Sequence, residues 1–182
     1  LRHNKRAIQA ELGAFGNIDP TRTGRNYCLE GLTKPEDGYR QLMDAVHDYN
    51  RRHIRKIRHD AVVAIEAVFS TPAFRDDIST EAFFDQCLGW LKKEFDQTTV
   101  ISADVHLDES HPHMHVLLCC VLPNALTGSK SVGYAKYFND RNLRFFEEVG
   151  RPHGLEAPSC ALSKSDRKQL AHQVKLTIQK QS

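Results

Sequence analysis

The sequence predicts an α+β fold, an antiparallel β-sheet with helices packed on it. Residues 98–107, "TTVISADVHL", alternate apolar and polar side chains with the two-residue period of a strand. After the turn "DESHP", "HMHVLLCCVL" (113–122) supplies an apolar return strand. Residues 36–57 and 80–95 instead place apolar side chains three and four apart, as helices do. These helices and hairpin strands follow one another irregularly, which disfavours a regular βαβ series with a parallel sheet.

Residues 1–12 read as a short helix or a strand-to-helix entry. Residues 13–36 are rich in Gly, Pro, Thr and Asn and read as an extended loop. The helix over 36–57 carries Leu42, Met43, Val46, Tyr49, Ile54 and Ile57 on its apolar face. The β-branched run 60–70 reads as a strand. Ser79 caps the helix over 80–95, whose buried stripe is Phe83, Phe84, Cys87, Leu88 and Leu91. In the strand 98–107, Ile101, Ala103, Val105 and Leu107 face one way, and Ser102, Asp104 and His106 the other. Helices over 139–150 and 165–181 complete the chain. One domain is expected over 1–162, with 163–182 a C-terminal helix leading towards a further region.

The 182 residues are 40% hydrophobic, enough for a core, and show no internal repeat. A net charge of +2 gives little overall pull on a polyanion. The charge is uneven, however. "RRHIRKIRH" (51–59) is either a solvated helix face or a strip that contacts phosphates through Arg51, Arg52, Arg55, Lys56 and Arg58. Five cysteines, an odd number with no C-x-x-C, argue against a disulfide framework or zinc ribbon and for a reducing cytoplasm. There is no membrane-length apolar run and no visible signal peptide.

The chemistry concentrates in "HLDESHPHMH" (106–115), which holds four of the ten histidines. His113 and His115 share a strand face, and His106 lies on the polar face of the preceding strand. Across an antiparallel pair, opposed side chains start about 5 Å apart, so three imidazoles crowd one patch. One divalent cation can gather them and keep coordination positions open, the layout of a catalytic metal. Imidazole suits Mn, Zn, Ni, Co and Fe better than Ca. Asp104 shares the face and is expected to accept a ring N–H. Glu109, in the turn, is placed to act as acid/base or water-mediated ligand. His111 has no assigned role. The plainer alternative is a set of surface hairpin histidines.

The string H-L-D-E-S-H-P-H-M-H resembles the H-x-D-E-x-x-P-H-x-H motif of the Mob/Pre (MobV-type) plasmid relaxases, members of the HUH endonucleases. Upstream, "HNKR" (3–6) resembles their first motif, H-N-x-R, and "NYCL" (26–29) their second, N-Y-x-L. The three stand in family order over about the first 120 residues. The resemblance implies a relaxase that nicks one DNA strand at a transfer origin, stays joined to the 5′ phosphate, and later reseals it. It implies single-stranded or hairpin DNA as substrate and a divalent ion, Mn²⁺ foremost, with Mg²⁺, Zn²⁺, Ni²⁺ or Co²⁺ also fitting. It makes His106, His113 and His115 the ligands, with Asp104, Asp108 and Asn26 supporting them. His3 becomes the nucleophile, with Arg6 beside it to hold a phosphate oxygen and Glu109 as acid/base. The family carries a strand ahead of its first motif; without one, His3 would sit on a loose terminus beside an open sheet edge. A C-terminal region of the family kind would serve dimerisation.

Tyr27 is the rival nucleophile. Tyr134 and Tyr137 are the rivals if the chain is a rolling-circle initiator or transposase of the same superfamily. Two other readings are a DNA-binding module whose metal only braces the hairpin, with Glu109 or His111 closing the site, and a metallohydrolase for a small molecule. The second leaves 51–59 unexplained.

Overall fold

The computed structural model describes residues 1–7, 18–71, 79–133 and 135–159. The chain divides into two compact units, Leu1–Gly133 and Tyr134–Ser182. The first holds a four-stranded antiparallel sheet ordered β1-β3-β4-β2, formed by β1 (Tyr27–Gly31), β2 (Ala64–Ser70), β3 (Thr99–His106) and β4 (His113–Cys119). Helices α1 (Pro35–Arg52) and α2 (Thr80–Glu94) pack against it. The antiparallel α+β architecture is the expected one.

Strand β1 lies in the stretch expected to be loop. Five residues between turn formers carry too little pattern to announce a strand. The ladder on β3 decides it, with Tyr27 opposite Val105 and Cys28 opposite Asp104. Gly31 ends β1 at φ +91°, and a Cβ there would stand 2.2 Å from the Ile101 carbonyl oxygen. Only glycine fits so close a backbone approach.

The clean alternation expected of β3 is broken by a β-bulge between Val100 and Ser102. Ile101 therefore turns to the side of Cys119 and Leu117, where it packs with Leu42, Ala45, Val46 and Tyr49 of α1. The bulge corrects the expected grouping of Ile101 with Ala103 and Val105. It leaves α1 over one end of the face that also carries Ser102, Asp104 and His106. The opposite face offers Ala103, Val105, Met114, Val116 and Leu118, all at most 1% exposed. Helix α2 covers that side with Phe83, Phe84, Cys87, Leu88 and Leu91, and Ser79 Oγ caps it by accepting from Ala82 N.

Helix α1 opens on Pro35, carries Glu36 and Asp37 in its first turn and Arg51 and Arg52 in its last, the polarity its dipole favours. It stops at Arg52, short of the expected 57. Ile57 still reaches the core, but Ile54 is wholly exposed. The strand expected over 60–70 starts at Ala64. The return strand stops at Cys119, and Val121–Leu122 pairs instead with Ala125–Leu126 as a small ribbon, β5–β6. A short helix α3 (Gly128–Val132) follows. In the second unit α4 (Ala135–Phe145) runs into a single wide π-helical turn, Phe146–Gly150. The expected helix over 165–181, the domain boundary near 162, Tyr134 and Cys160 fall outside the described residues. Cys28, Cys87, Cys119 and Cys120 are free thiols. Among the described residues no helix is long and apolar enough to cross a membrane.

Candidate active site

The register of β3 on β4 sets His106 opposite His113 and Asp104 opposite His115. Opposed residues share a face, so the three histidines meet. Their ring centroids are 5.0 Å (106–113), 5.1 Å (106–115) and 5.1 Å (113–115) apart.

Each ring is held by its outer nitrogen. His106 Nε2–H donates to the Asn4 carbonyl at 2.7 Å, and His113 Nδ1–H to the His111 carbonyl at 2.9 Å. His115 Nδ1 lies 3.2 Å from Glu66 Oε1. Glu66, on β2, also accepts from Asn4 Nδ2 at 2.7 Å. These two donors hold its carboxyl below the usual range against the upward push of burial. A carbonyl can only accept, so His106 and His113 present lone pairs on His106 Nδ1 and His113 Nε2. Those atoms lie 3.2 Å apart. Burial lowers the His106 pKa to about 4, so near neutral pH this ring does not take a second proton to bridge the gap. Two facing lone pairs repel unless a cation stands between them. The donor set and its outer anchors therefore fit a divalent metal.

His3 stands over this cluster. Its ring centroid is 5.5 Å from that of His115 and 6.0 Å from that of His106. Among the described residues two trios offer ligand atoms all within 4.8 Å of one another, His3–His106–His115 and His106–Glu109–His113. His106 belongs to both.

Residues 1–7, the described part of the segment expected as a short helix or strand-to-helix entry, form a turn, and side-chain contacts tie it down. Arg6 N donates to the His3 carbonyl at 2.9 Å, and Arg6 takes φ 49°, a left-handed conformation that an L side chain adopts only at a cost. Side chains fix it: Lys5 Nζ meets Asp104 Oδ1 at 2.5 Å, Asn4 meets Glu66, and Arg6 reaches the turn after β3. Arg6 Nε and Nη2 grip Asp108 at 3.1 and 2.6 Å, and Nη2 also meets Glu109 at 2.7 Å. Asp108, fully buried, further accepts from Thr23 Oγ1 at 3.0 Å and Asn26 Nδ2 at 2.7 Å. Asn26 Oδ1 accepts from Leu107 N at 2.7 Å. Each of the three sequence motifs thus supplies one member of a single hub: Arg6, Asn26 and Asp108.

Removing one partner of a buried ion pair leaves the other charge without compensation. Asp108→Ala is therefore expected to cost roughly 3–5 kcal/mol of folding stability. Urea unfolding checks this; a loss below about 1 kcal/mol would show that the hub is not structural.

Several residues stand elsewhere than expected. Asp104 bonds Lys5 rather than a histidine. The residues that brace the rings are Asn4 and His111, each through its backbone carbonyl, and Glu66 through its side chain, and only Glu66, the one charge in its strand, left a signal in the sequence. The His111 side chain meets Ser110 Oγ at 3.0 Å. Arg6 commits Nε and Nη2 to carboxylates, and its Nη1 is buried without a partner, so the guanidinium organises Asp108 and Glu109 rather than standing open to a phosphate. Tyr27 pairs with Val105 and so faces α2, away from the histidines. Its buried hydroxyl has no partner, and burial with nearby Glu81 and Asp85 raises its pKa. Tyr137 is an exposed residue of α4 in the second unit.

The family model described as plasmid recombination enzyme, Mob_Pre, matches residues 1–158. A plasmid recombination enzyme type 1 of Staphylococcus aureus is 33% identical over 155 residues, covering 81% of this chain and 37% of the relative. A type 3 enzyme of the same organism is 31% identical over 157 residues, covering 82% and 38%. The chain thus spans little more than a third of the length of these relatives. Among solved structures, the Mn-bound MobM relaxase domain with plasmid pMV158 oriT DNA superposes with a TM-score of 0.71 at 23% identity, covering 93% of this chain and 89% of that one. The same domain bound to a 26-nucleotide oriT DNA gives 0.59 at 22% identity, covering 81% and 90%. These structures share the fold. With the family model spanning most of its length, the chain belongs to the Mob_Pre family of plasmid recombination enzymes.

Proposed function

We propose that this chain is the catalytic part of a relaxase, a metal-dependent enzyme that nicks one DNA strand at a plasmid transfer origin and reseals it. The observation that carries the reading is that His106 Nδ1 and His113 Nε2 face one another at 3.2 Å while their other ring nitrogens are tied to carbonyls, with the rings of His115 and His3 beside them. His106 Nδ1, His113 Nε2 and His115 Nε2 would hold the ion, for which Mn²⁺ is the first choice, as in the Mn-bound MobM structures. A divalent ion held there neutralises charge on the scissile phosphate and orients its oxygens.

The rest is done by the chain itself. Neutral His3 attacks phosphorus through a ring lone pair, forming a P–N bond as the P–O3′ bond breaks. The bonding electrons leave on O3′, which takes up a proton, and the 5′-phosphoryl end stays on the protein. The other His3 nitrogen releases its proton, and Glu109 is the proposed acceptor. Arg6 fixes Glu109 for that task. Resealing is the reverse, with the O3′ hydroxyl displacing imidazole. Single-stranded or hairpin origin DNA is the partner, the cytoplasm the compartment in keeping with the free thiols, and dimerisation through a further C-terminal region fits the greater length of the relatives.

A second reading has one observation in its favour. Glu109 forms a trio with His106 and His113, which as a fourth ligand would close the site and leave a metal-braced DNA-binding module. A labelled origin oligonucleotide, with pMV158 oriT DNA as the first probe, separates the two. On the catalytic reading, label becomes covalently attached to the protein with Mn²⁺ and not with EDTA. DNA binding with no adduct on any origin strand would favour the module.

A further inference from the structure

The basic run 51–59 spends much of its charge on itself. Arg51 pairs with Asp48, and Arg58 with Asp60 at 2.8 Å. Lys56 curls back onto the carbonyls of Asn50 and His53 and so caps the end of α1. Asn50 Oδ1 accepts from Ile57 N at 2.8 Å, and Ile57 is anchored in the core. The His53 ring stacks on Tyr49, centroids 4.0 Å apart at 13°. Residues 53–57 therefore form a knuckle pinned at both ends. At its tip stands Ile54, 102% exposed. Exposed Arg52 and Arg55 flank it in sequence, and neither has a hydrogen-bonded acid among the described residues. A pinned frame of cations here presents one β-branched apolar side chain wholly to solvent.

Building on the relaxase reading, we propose that Ile54 is a wedge that packs between or against base pairs of a duplex arm of the DNA, while Arg52 and Arg55 take the flanking phosphates. The side chain's shape selects base-paired DNA. Unpaired bases are held by flat aromatic faces, on which they stack, and isoleucine has none. Bulky aliphatic side chains between cations are instead the wedges that enter the minor groove and pry a base step apart. The position selects an arm remote from the nick. The start of α1 lies beside the first residues of the chain, since a Cβ on Gly38 would stand 3.2 Å from the Leu1 side chain. The helix has 18 residues, so its far end lies about 27 Å away. That distance is about eight base pairs at 3.4 Å each.

The test compares two oligonucleotides, a stem–loop with about a dozen A·T-rich base pairs and a single-stranded tail, and the same length of strand with the stem left unpaired. Ile54→Ser is expected to weaken binding of the stem–loop about tenfold, the lower end of what burying one aliphatic side chain contributes. Its affinity for the unpaired strand, and the slope of log K against log salt, should stay those of the wild type. Ile54→Leu should bind the stem–loop within about twofold of wild type, since it keeps the apolar volume. Arg55→Ala should instead flatten the salt slope by about 0.9 on the stem–loop. The wedge is wrong if Ile54→Ser binds both DNAs as wild type does, or loses equally on both. If the wild type binds neither DNA, the relaxase reading itself is at fault. Because Ile54 touches no core residue, an unchanged melting temperature is expected to accompany the loss.

Discussion

His113→Ala should lose nicking by on the order of a thousandfold, even at saturating Mn²⁺, because several kcal/mol of charge stabilisation at the phosphate go with the ion at about 1.36 kcal/mol per decade of rate. Its Nε2 lies 3.2 Å from His106 Nδ1, the two ring nitrogens that face one another across the hairpin. The effect should divide by distance from the ion. Glu66→Gln removes the charge behind His115 and keeps the ligand, so it should weaken Mn²⁺ binding only about 10–100-fold and be rescued by added metal. Single-turnover nicking with labelled strand, together with Mn²⁺ titration followed by electron paramagnetic resonance, reads both quantities. Full activity of His113→Ala at high Mn²⁺ would remove this histidine from the metal set.

The second large effect concerns the bond to DNA. A His3 adduct is a phosphoramidate. Protonating the imidazole turns it into a good leaving group, so brief acid should release the label while alkali leaves it attached. A phosphotyrosine bond survives mild acid. The trapped adduct should therefore vanish in acid, and His3→Ala should form none, a loss beyond the detection limit of a gel. Tyr27→Phe and Tyr137→Phe should each keep it. Tyr27 faces α2 on the far side of the sheet, so losing its hydroxyl should touch stability rather than chemistry. An acid-stable adduct, or one retained by His3→Ala, would move the nucleophile to a tyrosine and the function towards a replication initiator.

Much of this arrangement was legible before any coordinates, because strand parity is strict. Once 98–107 and 113–122 are strands joined by a short turn, His106, His113 and His115 have to share a face. The supports of those histidines were not legible, because they arrive through backbone atoms and long-range contacts. A carbonyl such as that of Asn4 or His111 carries no residue signature. The Lys5–Asp104 pair joins segments 99 residues apart, so Asp104 read as a histidine partner by proximity in sequence alone. Strand β1 was missed for a similar reason, since its pairing with β3 and not its composition makes it a strand. The bulge at Ile101 was hidden because it is set by the register of β4 and by the carbonyl crowding Gly31. In the basic run, residue type suggested an open charged strip, and only the folded knuckle reveals which cations are spent on the protein itself.

The hub of Arg6, Asn26 and Asp108 has a consequence for how the protein comes into being. Arg6 and Asp108 are 102 residues apart, so although Asn4 has Glu66 of β2 to bond, Arg6 has no carboxylate partner until the turn after β3 has been synthesised. Closing so long a loop is paid for only when the sheet is already in place to reward it, which makes this corner a late event in folding. On the proposed relaxase reading, a growing chain on the ribosome would therefore display its first motif early and yet carry no cutting centre. The capacity to break a DNA strand would appear only with the near-complete domain, in one cooperative step, and a partly unfolded molecule that lets its N-terminal turn go would lose it in the same step.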